Sequence, residues 1–164
     1  MSNPFAIVKE FRSLIIGKLA KGNGNKDVYG TVYNNLGSAY QSLGDFRTGR
    51  EFCHLALKIV METENKCAEG TVCNNLGVVY QSLNNFEKAY EFFQRALSKA
   101  KETENKYAEG TVNNSFGVVN HCLGDCKEAI ECYQLALRMA EADQRQRFTR
   151  KKVYQPRQCL SVSQ

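Results

Sequence analysis

The sequence of 164 residues contains no long run of apolar residues, although 43% of its residues are hydrophobic. Its N-terminal stretch is interrupted by Lys9, Glu10 and Arg12, so it fits neither a signal peptide nor a membrane-spanning helix, which needs about 20 apolar residues in a row. We therefore expect no membrane span and a cytoplasmic location.

Catalytic and phosphate-binding patterns are also missing. The only histidines, His54 and His121, occupy different positions of the repeat described below, and no acid or nucleophile recurs beside them. No loop of the form Gly-x-x-x-x-Gly-Lys is present, and the stretch KGNGNKD at residues 21–27 is better explained as a turn. The sequence thus predicts a protein without enzymatic activity, cofactor or small-molecule substrate.

What the sequence does contain is a repeat of forty residues. Residues 62–72 read ETENKCAEGTV and residues 102–112 read ETENKYAEGTV, so the two strings differ only at Cys67 and Tyr107. Other columns repeat with the same period: Leu36/Leu76, Gly37/Gly77/Gly117, Tyr40/Tyr80, Leu43/Leu83/Leu123, Phe46/Phe86, Ala56/Ala96/Ala136, Leu57/Leu97/Leu137 and Ala89/Ala129. Periods of this size indicate a solenoid, in which each unit buries its apolar face against the next.

Each copy contains two stretches with helical periodicity. Within residues 71–84, apolar residues fall at steps of three and four, which indicates an amphipathic helix: Val72, Leu76, Val79, Tyr80 and Leu83. Turn-forming pairs follow it in the three copies: Gly44-Asp45, Asn84-Asn85 and Gly124-Asp125. A second helix is predicted from about Phe86 to the ETENK segment. We expect the small residues Gly77 and Ala96 to let the two helix backbones approach closely.

A helix pair with Leu-Gly-x-x-Tyr in the first helix and Ala-x-x-x-Phe-x-x-Ala in the second resembles the tetratricopeptide repeat. The middle copy matches at Leu76, Gly77, Tyr80, Ala89, Phe93 and Ala96. Units of forty residues, roughly six longer than the usual 34, with N-N-L-G-x-x-Y, are similar to the Pins/LGN group of G-protein signalling modulators. The resemblance implies an all-α, right-handed solenoid of antiparallel helix pairs, which acts as a non-catalytic scaffold for protein–protein interaction.

The repeat divides the chain into five segments. They are a leading half unit at residues 5–28, units at residues 29–68, 69–108 and 109–142, and a tail at residues 143–164. The half unit contains a helix predicted from Phe5 to Lys21, which corresponds to the second helix of a preceding unit. This helix either caps the array by docking its apolar face inward, or it leaves an apolar end through which copies of the chain self-associate.

The seven cysteines include no Cys-x-x-Cys pair. Three of them, Cys122, Cys126 and Cys132, lie close together near His121 and could form a metal site. The repeat offers a second explanation, because several cysteines replace aromatic residues of other units: Cys53 for Phe93, Cys73 for Tyr33, Cys126 for Phe86 and Cys132 for Phe92. We therefore expect no bound metal and mostly free thiols that fill core positions.

The tail carries the whole formal charge of the chain, +5. The tail contains one acidic residue, Asp143, and six basic residues: Arg145, Arg147, Arg150, Lys151, Lys152 and Arg157. The rest of the chain has equal numbers of acidic and basic residues. The tail could bind nucleic acid or an anionic membrane surface, with Phe148 and Tyr154 available to stack on bases. It could also be a solubilising helix extension that ends near Pro156. Apart from the tail, nothing in the sequence predicts binding to nucleic acid.

The tetratricopeptide resemblance implies a concave groove lined by the first helices, with a protein or peptide as its ligand. Counting along the motif places five columns on or near that groove: Thr31/Thr71/Thr111, Asn34/Asn74/Asn114, Asn35/Asn75/Ser115, Ser38/Val78/Val118 and Gln41/Gln81/His121. Amide side chains offer donors and acceptors that suit the backbone of an extended peptide. The same amides could instead tie neighbouring helices together.

The resemblance also allows a comparison of partner classes. Family members that clamp the C-terminal carboxylate of chaperones use lysine and arginine on the first helices, and Pins/LGN-like groove binding uses arginine beside asparagine. The five columns contain neither lysine nor arginine. They therefore favour neither of these partner classes.

Overall fold

The structure is a computed structural model, which describes residue 10 and residues 25–153, with side chains up to residue 148 of the last helix. Six helices follow one another in residues 25–153: α1 (Lys26–Ser42), α2 (Phe46–Glu62), α3 (Lys66–Ser82), α4 (Phe86–Glu102), α5 (Lys106–Leu123) and α6 (Cys126–Val153). The described residues form no strand. The prediction of an all-α solenoid built from helix pairs is therefore confirmed.

The helices start at polar capping residues spaced by twenty positions. At each of these starts the side chain accepts a hydrogen bond from a backbone N–H two or three residues later: Asn25, Asp45, Asn65, Asn85 and Asn105. Such caps satisfy N–H groups that have no partner within the helix. Each of the first four helices is 17 residues long and is followed by a turn of three residues. Two such halves account for the period of forty.

The turns place one residue each in the left-handed backbone region. At the predicted turns these residues are Gly44, Asn84 and Gly124, with φ values of 76°, 56° and 88°. The turns between units use Glu64 and Glu104 instead, with φ values of 53° and 51°. Glutamate rarely adopts this conformation, so the geometry of the array overrides its local preference at these two positions.

Within each unit, a glycine of the first helix makes room for a core side chain of the second. A Cβ atom built on Gly77 would overlap the ring of Phe93, and one built on Gly37 would overlap the Sγ atom of Cys53. Gly77 and Ala96 both lie where the two helices of the unit pack together, as predicted, but they have different neighbours. The residue opposite Ala96 is Gly70, whose added Cβ would lie 3.7 Å from the Ala96 carbonyl oxygen.

Units pack against each other through the second helix of one and the first helix of the next. On the first helices, Val72, Val79, Val112 and Val119 are at most 2% exposed. Across the contact between α4 and α5, the ring of Phe116 lies 5.1 Å from that of Tyr90 and 5.6 Å from that of Phe93, measured between centroids. The core thus runs continuously along the array.

The predicted units and the helices begin and end at different residues. The first helices begin at Lys26, Lys66 and Lys106, three residues before the predicted unit starts, and α6 continues past residue 142 to Val153. The first part of the predicted basic tail is therefore helical. The predicted helix at residues 5–21 lies outside the described residues except for Glu10, which is helical.

The cysteines divide into buried and exposed groups. Cys53 and Cys73 have no exposed surface, which confirms the core positions predicted for them, and Cys132 is half-buried. Cys126 is exposed, so its predicted core position is wrong. The reason is its place in the array, because α6 packs mainly against α5 and no further described helix covers its other side. Cys67 and Cys122 are also exposed.

This division predicts a pattern of thiol alkylation. Burial raises the pKa of Cys53 to about 12 and, as the main cause, that of Cys73 to about 11, so neither thiol forms the reactive thiolate in the folded protein. With iodoacetamide at neutral pH, we expect modification of Cys67, Cys122 and Cys126, and of Cys53 and Cys73 only after unfolding in urea. Peptide mass spectrometry measures both. Equal labelling of all five in the folded protein would contradict the described packing.

Candidate functional site

The predicted site residues lie on α1, α3 and α5, the three first helices, which lie side by side. Two predicted polar columns link these helices. The Asn75 amide Nδ2 donates to Asn34 Oδ1 at 2.9 Å and to Ser38 Oγ at 3.3 Å, and Ser115 Oγ donates to Asn74 Oδ1 at 3.1 Å. The same pair of columns is thus joined twice along the array. These hydrogen bonds connect neighbouring first helices. Contact between helices is the second role that the sequence left open for the amide columns.

The predicted threonine column is exposed, but its hydroxyl hydrogens are used. Thr31, Thr71 and Thr111 donate to backbone carbonyls one turn earlier in their own helices, at 2.9, 3.1 and 3.0 Å. Each oxygen keeps acceptor capacity towards the groove. The threonines can therefore accept a hydrogen bond from a ligand without breaking a contact of the fold.

The remaining predicted residues are available to a ligand to different degrees. Asn35, Asn114 and His121 are exposed, whereas Gln41 and Gln81 are half-buried. Within residues 25–153 we find no hydrogen bond made by any of these five side chains. Asn35 and Asn114 occupy the two open ends of the hydrogen-bonding pattern that ties α1, α3 and α5.

A cavity of about 310 Å³ lies between α3 and α5, above the C-terminal half of α4. Small side chains form much of its wall, and Tyr107 borders it with 61% of its surface exposed. Its lining includes Cys67, Gly70, Thr71, Asn74, Ala96, Ala100, Tyr107, Ala108, Thr111 and Val112.

The same cavity recurs one unit later. A space of about 450 Å³ is lined by Gly110, Thr111, Asn114, Ala136 and Ala140, which are the residues forty positions after Gly70, Thr71, Asn74, Ala96 and Ala100. Tyr107, Tyr133 and Leu137 complete its lining, and no described helix closes it on the far side. The groove is therefore a repeated feature of the array, like the helices that form it.

These glycine and alanine columns were not among the predicted site residues. They carry no hydrogen-bonding side chain, whereas all five predicted columns contain polar residues. One signal could have revealed the site: Cys67 and Tyr107 are the single difference between two otherwise identical strings of eleven residues, and both line the cavity.

The cations beside the cavity are paired with carboxylates. Lys66 lies 2.6 Å from Glu102, and Lys99 lies 3.4 Å from Glu69, which also binds Arg95 at 2.6 Å. The carboxylate of Glu69 is largely buried, and this cluster joins α3 to α4. The lining residues thus offer no uncompensated positive charge to a ligand carboxylate.

Metal sites and membrane spans are both absent from the described part of the chain. No three histidine, cysteine, aspartate or glutamate side chains there lie close enough to hold a metal ion. None of its helices has the length and apolar character required to cross a membrane.

The hydrogen bonds of Asn75 lead to a prediction on stability. We expect Asn75→Ala to lower the free energy of unfolding by about 1 to 3 kcal/mol, because it removes two hydrogen bonds and leaves Asn34 without its partner. Urea unfolding followed by circular dichroism measures the change. Asn35→Ala is the matched control, since Asn35 is exposed at the same position of the first unit. Equal stabilities of the two variants would mean that the inter-helix hydrogen bonds contribute nothing.

Comparisons with known proteins agree with this architecture. The family model described as tetratricopeptide repeat matches residues 28–102 and 69–142. The crystal structure of BtubC (BKLC) from P. vanneervenii is similar with a TM-score of 0.66 and 24% identity, over 82% of this chain and 56% of BtubC. The crystal structure of the TPR domain of Arabidopsis FLU gives a TM-score of 0.65 and 14% identity, over 72% of this chain and 99% of that domain. No curated protein matches the chain. Identities this low show the fold alone.

Proposed function

The chain belongs to the tetratricopeptide repeat family, and we propose that it is a non-catalytic scaffold whose groove binds a segment of a partner protein. Tetratricopeptide repeats generally mediate protein–protein interactions. The observation that supports this proposal most is the cavity between α3 and α5 and its recurrence one unit later. A ligand that spans several units needs such a repeated site.

The lining suggests the chemistry of the ligand. Glycine and alanine leave the floor apolar and without large side chains. At the rim, the exposed Thr71 and Thr111 donate their hydroxyl hydrogens to their own helices and can accept a hydrogen bond from a ligand. Because the nearby lysines are already paired, a terminal carboxylate gains little here. An extended peptide with small apolar side chains and free backbone N–H groups fits these features.

The basic tail supports a second proposal less well. Arg147 lies 2.7 Å from Asp143 and over the ring of Tyr107, and Arg145 lies 3.5 Å from Glu141. These two arginines are thus partly neutralised by the helix that carries them. Binding of nucleic acid or of an anionic membrane through the tail remains the alternative that the experiment below also tests.

Three predictions from the sequence belong to this proposal. They are the likeness to the Pins/LGN group, which depends on the N-N-L-G-x-x-Y units of forty residues, the cytoplasmic location and the absence of enzymatic activity.

A single charged substitution in the groove tests the proposal. We expect Thr71→Arg to weaken binding of the partner roughly tenfold or more, about 1.4 kcal/mol, because the long side chain fills the cavity and brings an unpaired charge. The immobilised full chain and its variants would be used to capture proteins from cell extract, with quantitative mass spectrometry of each captured protein.

Ser98→Arg is the matched control, because Ser98 is exposed on α4 and does not line the cavity. Proteins captured by the wild type and by Ser98→Arg but lost with Thr71→Arg are groove ligands. If every captured protein tolerates Thr71→Arg but is lost when Arg145 and Arg147 are replaced by alanine, the tail is the binding site and the proposal is wrong.

A further inference from the structure

The two ends of the described array carry the two halves of an interface that occurs twice inside it. Inside the array, the first helix of one unit covers the second helix of the preceding unit, as α3 covers α2 and α5 covers α4. The first helix α1 and the last helix α6 have the corresponding surfaces exposed. We propose that copies of this chain associate end to end, with α1 of one copy packed on α6 of another.

The exposed surface of α1, called here the front face, consists of Val28, Val32 and Asn35. Val28 and Val32 are 54% and 44% exposed, whereas Val72, one unit after Val32, is 2% exposed. Val112, two units after Val32, is also 2% exposed. The front face thus presents to solvent a column that is buried in the two units where a described second helix precedes it.

The surface at the α6 end of the array, called here the back face, consists of the exposed Asn114 of α5, the exposed Ile130 and Leu137 of α6, and the half-buried Tyr133 of α6. Leu137 is 66% exposed, whereas in the same column of the two earlier units Leu57 is 7% exposed and Leu97 is half-buried. Ile130 is 55% exposed, and its counterpart Tyr90 packs on Phe116 of the next first helix. The back face therefore lacks the covering helix that the two earlier units have.

Polar groups at the two faces are complementary as well. Inside the array, the Asn75 amide donates to Asn34 and the Ser115 hydroxyl donates to Asn74. Each of these two hydrogen bonds joins residues that are 41 positions apart in the sequence. The residues that would continue this pattern are Asn114 as acceptor and Asn35 as donor, and both are exposed. In the proposed contact, Asn35 of one copy donates to Asn114 of the other.

The open cavity at the back face also fits this partner. The cavity between α3 and α5 is closed by Ala108 and Val112. The space lined by Gly110, Thr111 and Leu137 has no such wall among the described residues. Val28 and Val32 stand at the positions of Ala108 and Val112 in α1, so the front face supplies the missing wall. The inference rests on these matching columns and not on a ligand of the groove.

A contact between two different surfaces of the same chain has a consequence for assembly. Because the front face of each copy stays free after its back face is covered, association is heterologous and open-ended. Light scattering with size-exclusion chromatography of the full chain should show an average mass that rises steadily with concentration.

Two substitutions dissect the interface. Val32→Asp on the front face and Leu137→Asp on the back face should each lower the association constant roughly tenfold or more, because each places a carboxylate in an apolar contact. Both side chains are exposed in one copy, so the melting temperature measured at low concentration should stay near that of the wild type. Met61→Asp is the control, since Met61 is exposed on α2 outside both faces, and it should associate like the wild type.

Mixing the two variants gives the decisive measurement. Val32→Asp keeps an intact back face and Leu137→Asp keeps an intact front face, so an equimolar mixture should form a dimer of one of each and stop there. A wild type that is monomeric at all concentrations would overturn the proposal. So would a mixture that does not associate, or assembly that Leu137→Asp abolishes and Val32→Asp does not affect, because two back faces would then pair.

One more outcome identifies a different occupant of the front face. If Val32→Asp lowers the melting temperature at low concentration and leaves the mass unchanged, residues 5–21 of the same chain cover α1, and the proposal is wrong. Thr71→Arg should leave assembly unchanged, so failure of the groove proposal and failure of this one can be told apart.

Discussion

Replacing Phe93 with alanine is expected to lower the free energy of unfolding by about 3 to 5 kcal/mol, the range for the loss of a buried aromatic side chain. The Phe93 ring has no exposed surface. It fills the space that Gly77 leaves within its own unit, and it lies 5.6 Å from the ring of Phe116 in the next unit. The substitution therefore weakens both the middle unit and its contact with the third. Since total stabilities are usually about 5 to 15 kcal/mol, the variant should be close to unfolded.

Urea unfolding followed by circular dichroism measures this loss. Tyr107→Ala is the matched control, because Tyr107 is 61% exposed and its ring contact is with Arg147. We expect that control to lose no more than about 1 kcal/mol, the size of a surface cation–π contact. An unfolding curve of Phe93→Ala that coincides with the wild type would mean that Phe93 does not occupy the core.

The fold could be predicted from the sequence because its signals repeat. Gly77, Ala96 and Leu97 recur in all three units at fixed spacing, and the helices that this repeat predicted are present. The turns between units could not be predicted in detail. Glu64 and Glu104 adopt positive φ at positions where other turns use Gly44 or Asn84, because the helices on both sides fix the path of the chain.

The polar columns show why the site was harder to predict than the fold. Helical periodicity tells which face of α3 carries Asn74 and Asn75, but not how far α3 is displaced along α1. That displacement brings Asn75 to Asn34, 41 residues earlier, so its amide is used inside the array. The sequence alone could not decide between a ligand contact and an inter-helix contact.

In the third unit, the repeat pattern ends before the helix that carries it. The repeat pattern stops near residue 142, and among the described residues no further helix packs there, yet α6 continues to Val153. Helix formation needs only local interactions, and Arg145 and Arg147 each pair with a carboxylate four residues earlier, Glu141 and Asp143. Loss of the repeat therefore marks the end of packing and not the end of the helix.

A second stability experiment concerns the fit between Gly77 and Phe93. In the wild type, Gly77→Ala places a methyl group into the Phe93 ring, which should cost about 1 to 3 kcal/mol. This cost outweighs the gain of up to about 1 kcal/mol that alanine brings to a helix. Gly70→Ala in the same helix is the control, because its nearest neighbour is the Lys99 Cβ atom at 3.2 Å. Because the two helices need to separate there by only a few tenths of an ångström, its stability should stay within about 1 kcal/mol of the wild type.

A double-mutant cycle with Phe93→Leu tests whether the cost of Gly77→Ala comes from its contact with the Phe93 ring. Phe93→Leu removes the ring, and we expect this variant to stay folded. In that background, the methyl group of Gly77→Ala enters space that the ring has left, so the steric cost should vanish and the gain in helix propensity should remain. The two substitutions together should then cost less than the sum of their separate costs by about 1 to 3 kcal/mol. Urea unfolding of the four proteins gives this coupling energy. Strictly additive costs would mean that Gly77 and Phe93 do not touch, and that the glycine column has another cause.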